Sequence, residues 1–395
     1  MERGRHPPWH ARQLDRACGP ACDTGAGHAA DRRGRERLRG LHGARPRAAI
    51  RRGAARMTAM ASIEATLLRR LAGDLRHLLH AAPAGATVHA LVEAALCVPE
   101  GALARWIACH GLAAHALLDG TPEARFANDG PWLVALPARM PDMAIDELAR
   151  IAALPQALLL LGSPLPMPRL ANHLRSWLDA AMVDAEGGRT GLLLRCFDAC
   201  TGMAMVDLWP AAERQAFVGA FDGWWGWNAR FALEHRAGAA RPVAAPRTEP
   251  LVLDEALLER IDALNRAERL LHLVLDEDVA AGELDGVPCW LHRAIARRAL
   301  ARAQALGLAG WQDERIAVAL CLRVHPAILE QPWMCALAAG ARTGNGGLLR
   351  AVAGIAPEVL DAERRRHAAR VLEDMAREIA GCATGHELTA TVSPH

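Results

Sequence analysis

The sequence predicts an α/β domain, built on a mixed or mostly parallel small sheet flanked by helices, followed by an all-α C-terminal lobe. Three observations lead there. Between His115 and Leu233, four short apolar runs alternate with helical segments. On either side of that region the apolar residues recur instead at three- and four-residue spacing. Residues 236–250, with three Pro and no aliphatic larger than Val, separate the two patterns as a linker. At 395 residues the chain is long enough for two lobes that each bury a core.

The elements follow in order. Residues 1–59 form an Arg-rich extension, and residues 1–57 hold 14 Arg against 5 acids, a net charge of +9. With almost no large aliphatics, this segment cannot offset the entropy of ordering and is expected to be disordered. Two origins fit it: a genuine tail, or a translation start assigned too far upstream, with Met57 or Met60 as the true start. Residues 60–112 read as N-terminal helices. Ile63, Leu67, Leu68, Leu71, Leu75, Leu78 and Leu79 line one stripe, and further helices are expected at Val88–Leu96 and Gly101–His110.

Residues 113–235 are the α/β part. Its runs are His115–Asp119, Trp132–Leu136, Ala157–Leu161 and Leu192–Phe197, each bounded by Gly, Pro or Asp. Short, nearly continuous apolar strands separated by helices suggest a sheet covered on both faces. A helix over Leu165–Met182, capped by Ser163, is expected to bury Leu170, Leu174, Trp177, Leu178 and Ala181. Beyond the linker, residues 251–395 are Ala/Arg/Leu helices: the first starts behind Asp254 as a cap, and others are expected at 288–308, 314–323, 347–354 and 358–380. Turns are expected at Asp285-Gly286 and Gly344–Gly347.

Charge and cysteine usage narrow the function classes. All 46 basic residues are Arg, and the net charge of +2 conceals a −7 balance outside residues 1–57. A mildly acidic body lacks the concentrated positive face that supplies non-specific nucleic-acid affinity. Nucleic-acid binding would therefore rest on the N-terminal extension. The ten Cys, mostly single and inside apolar runs, fit reduced buried thiols and a cytoplasmic location. Cys18/Cys22 and Cys196/Cys200 lack partner pairs at zinc-finger spacing, and His77 and His80, three apart on one helical face, lack further ligands, so no metal is expected. No apolar stretch reaches spanning length and the start lacks a signal-peptide core, so neither a membrane nor export by that route is expected.

The chain has no Gly-x-Ser-x-Gly elbow, Walker loop or His-Glu-x-x-His helix, and no cofactor-binding signature. His386-Glu387 lacks the second His. Four charged residues stand at or beside apolar strand ends or a helix stripe: Asp119, Arg175, Arg195 and Asp198. Two readings stay open for them. They line a small polar site at the carboxyl ends of parallel strands, where an Asp beside an Arg would act as a base on an anionic substrate, or they form an ion-pair cluster joining strand ends. A second concentration is aromatic: seven of the sixteen aromatics fall within Trp209–Phe231, among them Trp209, Trp224, Trp225 and Trp227. They are either anchors for a protein partner or packing between lobes.

Ala116-Leu-Leu-Asp119-Gly120, Gly130-Pro-Trp132-Leu-Val134, His173-Leu-Arg175 and Leu194-Arg195-Cys-Phe-Asp198 resemble, in order and spacing, the signature blocks of the domain of unknown function 4123 family. The resemblance covers roughly residues 113–233. It departs from the family pattern at His115, where an aromatic is usual, and at Ala199, where a Pro is usual. The resemblance implies a non-enzymatic adaptor chaperone of the bacterial type VI secretion system, whose partners are a secreted effector and the spike protein. Asp119, Trp132, Arg175, Arg195 and Asp198 would then be family-motif positions with partner-binding or structural roles.

Overall fold

A computed structural model describes residues 47–82, 87–183, 187–238, 247–279, 287–308, 310–343 and 347–382. Most of the N-terminal extension, most of the linker, the expected turn at Asp285-Gly286, residues 344–346 of the other expected turn, Cys18/Cys22 and His386-Glu387 lie outside the described residues. Helix α1 (Arg47–Ala81) places Leu67, Leu71, Leu75 and Leu79 in the core, the stripe that its spacing predicts. His77 and His80 are exposed on the same helix.

The next element departs from expectation. Thr87–Glu93 is strand β1, at the centre of the sheet, where the Ala/Leu content reads as helix. Five of its residues pair with a strand on each side, and both its faces are buried, so the run shows no polar–apolar alternation. Ladder pairing and burial on both faces override the helical propensity of Ala and Leu. Helix α2 (Ala102–His110) then leads to β2 (Ala114–Ala116) and β3 (Pro131–Leu136). Helix α3 (Asp142–Leu148) runs on as a π-helical turn, Ala149–Ala153, into β4 (Leu158–Ser163).

Helix α4 (Met167–Arg175) buries Leu170 and Leu174 as expected but stops seven residues short of Met182. Asp179–Val183 is instead strand β5, and Trp177 and Leu178 turn the chain into it. Ser163 does not cap α4: its hydroxyl donates to Ala220 O (2.6 Å) and accepts from Leu165 N (3.1 Å), while Pro166 stands at the cap. After β6 (Arg189–Leu193), short helices α5 (Gly202–Asp207) and α6 (Ala211–Val218) precede β7 (Gly223–Trp227) and β8 (Leu233–Ala237).

The main sheet has six strands in the order β2-β3-β1-β4-β7-β8, and every neighbouring pair in it is antiparallel. The expectation of a mixed or mostly parallel sheet is thus corrected for the main sheet, while the α/β class holds. The strand–helix–strand rhythm that suggested it is real: β3 and β4, joined by α3, run in the same direction. They are not neighbours, however, because β1 lies between them and antiparallel to both. Among the described residues the one parallel pairing, of β5 with β9 (Leu251–Leu253), belongs to a smaller sheet ordered β6-β5-β9.

The described residues beyond β9 are mainly helical, as expected: α7 (Glu255–Val279), α8 (Cys289–Ala305), α9 (Trp311–Arg323), α10 (Pro332–Thr343), α11 (Gly347–Ala353) and α12 (Pro357–Cys382). Asp254 caps the first of them, its Oδ1 accepting from Leu257 N at 2.7 Å. Helix α10 is additional to the predicted set and opens at Pro332, in the first turn where proline costs nothing.

Strand alternation divides the core. Val88, Ala90, Val92, Val134, Leu158 and Leu160 face a core shared with α1, α2 and the C-terminal helices. Leu91, Leu133, Leu159 and Leu161 face the other core, under α4, α5, α6 and the small sheet. Ala54–His395 is accordingly one compact unit. Among the described residues no helix is long and apolar enough to cross a membrane.

Candidate functional site

The motif blocks meet at one end of the main sheet. Arg175, on α4, donates from Nε to Leu117 O (3.1 Å) and from Nη1 to Asn172 Oδ1 (2.8 Å). Leu117 in turn donates its N–H to Pro131 O (2.8 Å), and Gly130 O accepts from Ala94 N (3.1 Å) at the end of β1. Gly130 fits closely there: a Cβ would sit 2.6 Å from the Leu118 side chain and 3.1 Å from Phe126 O, so a larger residue forces Leu118 to shift. His173 is buried, with Nε2 against Phe217 O at 2.9 Å. The blocks are therefore linked by hydrogen bonds that tie the β2 turn to β3 and α4 and hold the end of β1. Trp132 is half-buried and donates from Nε1 to Asn128 O (3.3 Å).

The four charged residues do not gather. Asp119 is exposed in the turn after β2, and Arg175 is occupied by its carbonyl contact. Arg195 and Asp198 do meet, with Nη2 and Oδ2 3.7 Å apart, in the loop between β6 and α5. An antiparallel sheet has no shared carboxyl edge, so the crevice that motivated a parallel-sheet site is absent from this fold.

Arg195 and Asp198 belong to a different cluster. Arg195 pairs through Nη2 with Glu93 Oε1, at the end of β1. Asp198 Oδ1 accepts from the backbone N–H groups of Cys200 (2.8 Å) and Thr201 (2.9 Å). Two arginines one helical turn apart on α8 complete it. Arg293 faces Glu268 of α7 (Nε to Oε2, 3.3 Å), donates to Gln156 O (3.2 Å) and touches Cys200 Sγ. Arg297 pairs with the other oxygen of Glu268 (3.2 Å) and reaches Cys200 O (3.4 Å). Glu93, Asp198, Glu268 and Arg293 are all buried.

Three guanidinium groups thus face three carboxylates. Burial would raise the Asp198 pKa, but Arg293, Arg195 and the two backbone donors hold it below the ordinary value. Glu93 first, and then Asp198, hold Arg195 above its own ordinary value against burial. The Cys200 thiol is pushed up to about 12, chiefly by burial, and stays protonated at neutral pH. The arrangement is a closed ion network that fastens α7 and α8 to β1 and to the fourth motif block. Glu93, Glu268, Arg293 and Arg297 were missed in the sequence. The available signal was two Arg at i and i+4 on the Ala- and Leu-rich, inward face of one helix.

Local backbone geometry supports the loop. A Cβ at Gly202 would lie 2.2 Å from Cys196 O, a backbone atom that cannot yield without moving the Arg195–Thr201 turn. Gly202→Ala is expected to cost ~1–3 kcal/mol through overpacking, read as a lower urea midpoint at unchanged slope.

The aromatic segment divides between the two cores. Trp209, Phe217 and Trp224 are buried with Trp177, and the Trp177 and Trp209 rings stack at 5.4 Å. Trp227 is buried on the opposite face, its Nε1 donating to Asp74 Oδ2 of α1 (2.9 Å), and Phe231 meets Trp290 of α8 edge-on. Trp225 alone of the four Trp is half-buried, stacked on His235 with ring centroids 5.0 Å apart. Among the described residues no group of three or more His, Cys, Asp or Glu is placed to hold a metal ion.

Buried histidines give the fold an acid limit. His89, inside β1, is lowered from 6.5 to about 4 by burial, and burial likewise lowers His173 and His325. These rings are neutral when folded, whereas the unfolded chain takes up protons near pH 6.5, so stability rises with pH in this window. Between pH 6.5 and 4, His89 alone is expected to remove about 3 kcal/mol. Urea unfolding at stepped pH checks this. A flat profile from pH 7 to 5 would contradict it.

In class, then, the motif-bearing part is an α/β domain on an antiparallel sheet, closed by a buried ion network. Residues 88–216 match the family model described as Domain of unknown function (DUF4123), and this stretch is a domain of that family. The match begins at β1, the strand that sequence periodicity misreads, and ends within α6. No curated protein and no solved structure matches the chain.

Proposed function

We propose that this protein is a cytoplasmic adaptor that binds a type VI secretion effector and helps load it onto the spike protein, without catalysing a bond change itself. The observation that carries the reading is the DUF4123 match over residues 88–216, whose motif blocks resemble those of such adaptors. The chemistry of the charges in the fourth motif block is consistent with it. Arg195 and Asp198 are neutralised by one another and by Glu93 and Arg293, so these two charges stiffen a scaffold.

A carrier must hold its cargo specifically and still let go. An interface of roughly 1,000–1,600 Å² in total meets both demands. Co-expression of the full chain with effectors and spike proteins encoded beside it, followed by pull-down and mass spectrometry, tests the reading. An effector or a spike protein is expected at near-stoichiometric yield. Enrichment of neither over a control bait would contradict it.

A further inference from the structure

We propose that two copies of this chain associate through the open edge of the six-stranded sheet, with β8 pairing antiparallel to its own counterpart about a twofold axis. Strand β8 ends the sheet, and among the described residues it pairs with β7 alone. Such an edge presents a row of backbone N–H and C=O groups that another strand can complete.

The side chains select which strand. Leu233-Glu234-His235-Arg236-Ala237 has opposite charges placed symmetrically about His235. Antiparallel self-pairing centred on His235 sets Glu234 of each copy opposite Arg236 of the other, and Leu233 opposite Ala237. Cross-strand pairs of opposite charge stabilise a ladder, and like charges directly opposite destabilise it. A slip of two residues one way would set Glu234 against Glu234, and the other way Arg236 against Arg236, so charge alone fixes the register.

Both side chains are already ordered. Glu234 Oε1 accepts from Asn228 Nδ2 (3.0 Å), and Arg236 Nε lies 3.1 Å from Asp207 Oδ2 while its Nη1 donates to His235 O (3.3 Å), a contact that the incoming strand must replace. On the opposite face of the strand, the His235 ring is stacked on Trp225 of its own sheet. Little entropy is then lost when the two edges meet. Because five residues per copy bury a small area, the association is weak and depends on concentration.

Sedimentation velocity of the full chain across a wide concentration range tests this. A monomer–dimer equilibrium is expected. Arg236→Glu and Glu234→Arg should each weaken it by about tenfold or more, by placing like charges opposite one another. The double variant Glu234→Arg/Arg236→Glu recreates both cross-strand pairs and should restore association, which a fold defect would not allow. His235→Cys should form a disulfide-linked dimer on oxidation, above the background from exposed Cys109 and Cys289. A monomer at every concentration overturns the proposal, as does a dimer indifferent to both charge reversals. A cargo polypeptide that protects the β8 amides from exchange while the chain stays monomeric also overturns it.

Discussion

Arg293→Met is expected to lower stability by ~3–5 kcal/mol, the range for removing one partner of a buried ion pair. The size of the effect comes from what is left behind. Glu268 and Asp198 are both buried, and Arg293 is among the groups that neutralise each of them. Arg297 still pairs with Glu268, and Arg195 with Asp198, so the network is weakened but not erased. The double variant Arg293→Met/Glu268→Gln removes one cation and one anion, and should recover part of the loss, a non-additivity that a double-mutant cycle measures directly. Asp119→Ala is the control: an exposed turn residue outside the network should stay within ~0.5 kcal/mol of the parent. If Arg293→Met unfolds at the same urea concentration as Asp119→Ala, the network does not hold the helices to the sheet.

A fragment limited to the family match, residues 88–216, is expected not to fold cooperatively. It keeps β1 to β4 but loses β7 and β8, so the long, apolar β4 becomes an open edge. It also loses α1, α7 and α8, which cover much of one face of the sheet, and keeps α2 and α3. Part of the face formed by Val88, Ala90, Val92, Val134, Leu158 and Leu160 would then meet water, although none of these residues is more than 5% exposed in the intact chain. At about 25 cal/mol per Å² of apolar surface, uncovering such a face exceeds the net stability of an ordinary domain. The fragment should therefore be insoluble or show a gradual, non-sigmoidal urea profile, whereas the full chain should show a steep transition. A fragment with a sharp transition and native-like exchange protection would mean that the C-terminal helices are an optional addition.

These expectations bear on how much of the molecule can be read from its residues. Helical stripes were legible wherever one face is wet: Leu67, Leu71, Leu75 and Leu79 on α1, and the C-terminal helices behind Asp254. Strands β3 and β4 were legible because Gly and Pro punctuate them. Strand β1 was not, since a run of Ala, Leu and Val buried on both faces carries no period to distinguish it from a helix. Strand β5 was hidden because Trp177, Leu178 and Ala181 happen to extend the helical spacing of Leu170 and Leu174. Strand direction was illegible for a different reason. A strand–helix–strand unit fixes β3 parallel to β4, but nothing local reveals that β1 is inserted between them.

The charged residues divide along the same line. Arg195 and Asp198 stand out locally because they punctuate an apolar run, and they do meet. Their partners lie far along the chain: Glu93 is 102 residues before Arg195, and Arg293, which helps to neutralise Asp198, is on α8. Only the fold brings these together. Asp119 and Arg175 share the local signature but sit where the chain turns, one exposed to water and the other held by a carbonyl.

The adaptor reading is tested most directly by size-exclusion chromatography with light scattering on the full chain co-expressed with a candidate effector and, separately, with effector and spike protein together. The account predicts that chain and effector elute as one stable species whose mass is that of their complex, and that adding the spike transfers the effector while the chain is recovered free. An effector that elutes apart from the chain, and reaches the spike equally well without it, would contradict the account.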